Sequence, residues 1–160
     1  MKTADEEFVA RTMDFIDRAH KADKPFFAWL NPTRMHVWTH LKDERRGVTG
    51  QGIYADGLVE HDDHVGQILK HLDDLGIAEN TIVIWTTDNG AEVFSWPDGG
   101  MTPFAGEKNT NWEGGYRVPM MVRWPAKIKA GVITNEIVSM EDWLAPDMAP
   151  VGEPDIKVKI

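Results

Sequence analysis

Apolar positions recur at helical spacing over residues 6–21, where Phe8, Val9, Thr12, Phe15, Ile16 and Ala19 line one face and Asp14, Asp17 and Arg18 the other. Asp23-Lys24-Pro25 closes that helix. Phe26-Phe27-Ala28-Trp29-Leu30 follows as a short, wholly apolar run, the pattern of a buried strand. No period holds over residues 31–52. Helical spacing returns over residues 53–76, with Leu58, Val65, Ile68, Leu69, Leu72 and Leu75 as the stripe and Gly76 as the stop. A turn leads into residues 81–87, β-branched and apolar, a second buried strand. A further long aperiodic loop covers residues 91–112. Residues 118–124 then read as another strand, with Pro119 near its start, where a missing N–H is tolerated. Residues 125–131 form a turn, and residues 132–140 a short strand or an extended crossing segment. Repetition of helix, turn and buried strand predicts an α/β fold, a mostly parallel sheet flanked by helices.

Composition narrows the picture. The 160 residues suffice for one ordinary domain, and 42% hydrophobic residues with a mean hydropathy of −0.38 describe a globular chain. Seven Trp residues suggest thick apolar layers around a sheet, more than this length completes alone. The net charge of −9 argues against a nucleic-acid backbone as partner. No apolar run is long enough to span a membrane, and no charged-then-apolar leader follows Met1. Without cysteine there are no disulfides and no thiolate metal sites, and the redox compartment stays open.

Candidate chemistry lies where the apolar runs stop. Asp88-Asn89-Gly90 follows the strand at residues 81–87, and ligands of open α/β sheets collect at such carboxyl ends. Asn-Gly after an apolar run is also the signal for a tight hairpin turn. No second strand follows within five residues, however, and a loop as long as 91–112 is functional or disordered more often than a connector. Asp88 and Asn89 offer only oxygen donors, which suits a hard cation such as Ca²⁺ or Mg²⁺. Lys108, one loop away, adds an ammonium. Cation and ammonium facing one pocket would select a small tetrahedral oxyanion, a sulfate or phosphate ester. The His61-Asp62-Asp63-His64 cluster places two imidazoles one turn apart and could be taken for a zinc site. A charged helix face accounts for it equally, and the His-Glu-X-X-His pattern is not met.

With Asp88-Asn89-Gly90, Lys108, Gly114-Gly115 and Arg117-Val118-Pro119 in this order, the chain resembles the sulfatase family over about residues 8–142. The resemblance implies an alkaline phosphatase-like fold, incomplete here, with residues 1–142 as part of a catalytic domain and 143–160 as a loosely packed tail containing Pro146, Pro150 and Pro154. It implies that Asp88 and Asn89 are metal ligands, for Ca²⁺ in preference to Mg²⁺. It raises His36, in the loop after the first strand, and Lys108 to catalytic and substrate-binding residues for a small-molecule or carbohydrate sulfate ester. The imidazole, the Asp88 carboxylate and the Lys108 ammonium are then expected to face one concavity. A periplasmic or secreted parent enzyme is compatible with the family, and the oligomeric state is open.

Two family features are absent from this sequence. The formylglycine nucleophile arises from a Cys or Ser in a Cys/Ser-X-Pro-X-Arg motif, and an Asp-Asp metal pair lies upstream of it; neither motif is present. Asp62-Asp63 sits inside a helical stripe and is no substitute. The expectation is a sulfuric ester hydrolase fragment that binds an oxyanion without completing covalent catalysis. A phosphatase or phosphonate hydrolase of the same superfamily, or a non-catalytic truncated homologue, is the alternative.

Overall fold

The computed structural model describes residues 1–36, 38–93 and 99–143. They fall into two compact units, Met1–Ile128 and Lys129–Ile160.

In the first unit, helix α1 spans Ala4–Lys21, with Asp5, Glu6 and Glu7 in its first turn and Arg18, His20 and Lys21 in its last, the arrangement that complements the helix dipole. Val9 and Ile16, seven residues apart, are the apolar residues it buries. Helix α2 spans Ile53–Asp74 and packs along α1. Its apolar stripe holds at Leu72, which is buried, but fails at Leu58, 45% exposed. The face buried in its first half is instead Asp56, Glu60 and His64, spaced four residues apart. Asp56 and Glu60 are inside because loops supply partners, Arg34 in the case of Glu60. Asp56 accepts the backbone N–H groups of Gly47 and Thr49, at 2.6 and 2.9 Å, and the Thr49 hydroxyl at 2.7 Å. The Thr49 hydroxyl, followed by those N–H groups, holds the Asp56 carboxyl below the usual carboxylate range. Leu41, from the long loop between the helices, completes a thin apolar core with Val9, Ile16 and Leu72.

Strand β1 spans Val83–Thr86 and pairs antiparallel with β2, Met120–Arg123, in the register Val83 to Arg123 through Thr86 to Met120. Both are shorter than the apolar runs that predict them. Helix α2 is tied to this pair: Trp85 Nε1 donates to His61 Nε2 at 2.8 Å, and Arg123 Nη2 meets Asp73 Oδ1 at 2.7 Å. The His-Asp-Asp-His cluster is therefore occupied in packing, with His64 buried and His61 holding the indole.

The run at residues 26–30 belongs to no ladder among the described residues, and the one ladder they form is antiparallel. A doubly covered parallel strand needs hydrogen-bonding neighbours and cover on both faces. Here Phe26 meets Phe15 of α1 edge-on at 6.4 Å, whereas Phe27 and Trp29 stack edge-on against each other and are 73% and 68% exposed. Phe26 and Leu30 are half-buried, whereas Phe27, Ala28 and Trp29 between them are bare. This is the incomplete α/β layer that the apolar patterning implies.

In the second unit, residues 132–139 form no strand, and Ile133 and Ile137 are almost fully exposed. The single helical turn Met140–Trp143 follows, with Asp142 accepting the Ser139 N–H at 2.9 Å. The expected Pro-containing tail lies outside the described residues beyond Trp143.

Candidate active site

Antiparallel pairing brings the carboxyl end of β1 and the entry to β2 to one edge, because Thr86 stands opposite Met120. Asp88, Asn89 and Gly90 leave β1 there, and the short helix α3, Glu113–Tyr116, leads in. The segments that flank the two strands cross-connect by backbone. Gly90 N–H donates to the Gly115 carbonyl at 2.9 Å, Lys108 N–H to the Ala91 carbonyl at 2.9 Å, and Gly114 N–H to the Ala105 carbonyl at 2.8 Å.

Glycine is required for this approach. A Cβ on Gly90 would lie 1.8 Å from the Gly114 carbonyl oxygen, and one on Gly114 would lie 2.2 Å from that of Gly106. Contacts that short against backbone cannot be relieved by a side-chain rotation, so the glycines fix how closely the loop carrying Lys108 sits on the segment carrying Asp88 and Asn89.

Lys108 Nζ lies 3.4 Å from Glu92 Oε2, with both side chains largely buried. Glu107 accepts the Val93 N–H at 2.6 Å and helps fold the loop back. A cleft of about 320 Å³ opens on this loop, lined in part by Ala91, Thr102, Phe104, Glu107 and Thr110. Arg117 stacks over the ring of Phe104, one of the lining residues, at 4.1 Å.

Asp88 is exposed, and its side chain meets the Thr87 hydroxyl at 3.4 Å. Asn89 donates Nδ2 to the Gly90 carbonyl at 2.9 Å, which orients its amide and leaves Oδ1 as an acceptor. Two oxygen donors at a strand end fit part of a hard cation's shell. Among the described residues no group of three or more His, Asp or Glu side chains completes it.

His36 is exposed on the loop between α1 and α2. Among the described residues no hydrogen bond or ion pair joins it to Asp88, Asn89 or Lys108. The two loops nevertheless lean on one turn of α2. A Cβ on Gly100 would come within 3.0 Å of the Tyr54 ring, and one on Gly57, a turn later, would meet Thr39 at 3.1 Å and Met35 at 3.4 Å. The backbone bond from Lys108 to Ala91 thus ties the loop carrying Lys108 to the segment that follows Asp88 and Asn89, and the His36 loop packs against the same end of α2.

Sequence reasoning missed Glu92, the partner of Lys108, and the buried cluster of Asp5, Arg34 and Glu60. Neither carries a motif. The spacing of Asp56, Glu60 and His64 at four-residue intervals was the signal for the second, since polar residues on a helix's inward face need partners.

The fold and this edge define a layered α/β segment with polar groups at a strand end. A profile of the sulfatase family matches residues 1–149, and the chain belongs to that family. It is 35% identical to N-acetylgalactosamine-6-sulfatase of Canis lupus familiaris over 147 residues, covering 91% of this chain and 28% of that protein. It is 34% identical to arylsulfatase A of Homo sapiens over 148 residues, covering 92% and 29%. Among solved structures, PsFucS1 sulfatase from Pseudoalteromonas sp. superposes with a TM-score of 0.78 at 33% identity, covering 81% of this chain and 26% of that one. Ps i-CgsB in complex with k-i-k-neocarrahexaose gives a TM-score of 0.85 at 26% identity, covering 92% and 34%. The chain therefore has an incomplete alkaline phosphatase-like α/β fold, and it spans little more than a quarter of the length of the curated relatives it matches.

Proposed function

We propose that this chain is the downstream part of the catalytic domain of an arylsulfatase-like sulfuric ester hydrolase acting on small-molecule or carbohydrate sulfate esters. The observation that carries this reading is the glycine-dependent backbone clamp, which ties the loop bearing Lys108 to the segment that follows Asp88 and Asn89 at a strand end. Family membership supplies the reaction class.

In this reading Lys108 donates to the sulfate oxygens and stabilises charge developing toward the leaving oxygen. His36 protonates the departing alcohol. Asp88 and Asn89 would hold Ca²⁺ in preference to Mg²⁺, with the remaining ligands coming from outside this pair. Bound there, the cation would polarise and orient the sulfate. The attacking nucleophile does not come from these residues: cysteine is absent, and no Ser-X-Pro-X-Arg occurs. The chain alone is then a binder of sulfate without turnover.

The test is hydrolysis by the full-length protein of an aryl sulfate and of the matching aryl phosphate, with and without a chelator. Faster sulfate turnover that falls on chelation and returns with Ca²⁺ supports the reading. Preference for the phosphate replaces it with a phosphoryl hydrolase, and no turnover of either replaces it with a non-catalytic homologue.

A further inference from the structure

Arg34 lies two residues before His36, and its guanidinium is buried where α1, α2 and the intervening loop meet. Nε donates to Glu60 Oε2 at 2.8 Å and Nη1 to Asp5 Oδ2 at 3.2 Å, with the three side chains only 1–2% exposed. Nη2 donates to the His40 carbonyl at 2.9 Å. Asp5 in turn accepts the N–H groups of Thr33 and Arg34 at 2.8 and 3.1 Å. One planar group therefore joins both helices to both ends of the 34–40 segment. His36 sits inside that closed segment and is exposed, with its carbonyl accepting the Thr39 hydroxyl at 2.8 Å.

Stability alone is a weak reason for such a cluster. Two carboxylates face one guanidinium, and Glu60 Oε1 is buried without a partner. Removing charges from water is costly, and apolar side chains of similar volume often do as well or better. What the fork of donors supplies is geometry: each N–H has a fixed direction, and each partner lies on a different element.

We propose that Arg34, held by Asp5 and Glu60, is a positioning residue for His36: it closes the base of the 34–40 segment so that the imidazole is presented at one place. The proposal rests on the reading of His36 as proton donor to the leaving alcohol. It assigns Arg34 no contact with substrate.

The test is a double-mutant cycle in the full-length protein, with aryl sulfate turnover as the readout and circular dichroism and thermal melting as controls for folding. Arg34→Lys keeps the charge but loses the fork. It is expected to lower kcat by roughly ten- to a hundredfold, as small misplacements of a reacting group do, with KM changed less than twofold. In a His36→Gln background the same substitution is expected to cost nothing further. Glu60→Gln, which keeps the shape and removes one charge, follows the same pattern and decides the matter should Arg34→Lys fail to fold. Full turnover by these variants while His36→Gln is impaired overturns the positioning role. So does a loss that persists undiminished in the His36→Gln background, which marks a structural role only. If His36→Gln itself leaves turnover intact, the reading of the active site fails first and the positioning role falls with it.

Discussion

Lys108 and Glu92 form an ion pair with both side chains largely withdrawn from water, and under the proposed reading a bound sulfate must share or break it. Lys108→Ala is expected to lower kcat of the full-length protein by about 10²–10³, the usual cost of a lost donor at developing charge. Glu92→Gln should act oppositely on binding: with the competing carboxylate gone, inorganic sulfate is expected to bind several-fold more tightly, about 1 kcal/mol, as measured by calorimetry. His61 gives a pH signature. Burial pushes its imidazole below the ordinary range, His64 adds to this and Asp5 opposes it. Its Nε2 accepts the Trp85 indole N–H, so protonation at that atom breaks the bond. A histidine whose folded pKa is depressed contributes stability that is full above its unfolded pKa and is lost as pH falls through the folded value. Urea titrations should therefore show stability decreasing from about pH 6.5 downward. In His61→Gln, which keeps an acceptor, that part of the slope should disappear. Lys108 and Asp88 were conspicuous in the sequence as candidates because their types and order carry chemistry. Glu92 was not, since a carboxylate in a polar loop has no spacing to betray its partner.

At the scale of elements, α2 is the hub. Its first turn touches both loops through Tyr54 and Gly57, its middle binds Arg34 through Glu60, and its far end packs Leu72 into the core. Leu72→Ala is expected to cost about 2–5 kcal/mol, as buried leucines do, read as a lower denaturation midpoint with unchanged slope. Gly90→Ala is a sharper test of the strand-end clamp. Its added carbon would lie 1.8 Å from a backbone oxygen, so the segment must shift. The bond from Gly90 to Gly115 should be lost, seen as rapid exchange of that amide, together with sulfate binding. The helices were readable from period alone, although Phe8, Phe15 and Leu58 of the expected stripes are exposed. The inward face of α2 at Asp56 and Glu60 was not, because apolar periodicity ignores polar residues whose partners come from distant loops.

For the whole molecule, the bare stretch within residues 26–30 dominates. Phe27 and Trp29 are exposed on a segment outside any ladder among the described residues, an apolar patch open to association. Sedimentation of the 160-residue chain should show concentration-dependent self-association, reduced by Trp29→Glu without change in helix content. Monomeric behaviour at all concentrations would remove that expectation. The chain's own residues determined its helices, its apolar runs, the α/β class and the acid-amide and lysine motif, because these follow from local period and from residue types in order. Tertiary structure alone decided that the strand pair is antiparallel, that Gly90 and Gly114 bring two loops into backbone contact, and that Arg34 joins two helices beneath His36. Those are pairings between positions tens of residues apart, and which of many compatible partners meet is set by packing and desolvation of the whole chain, not by any local pattern.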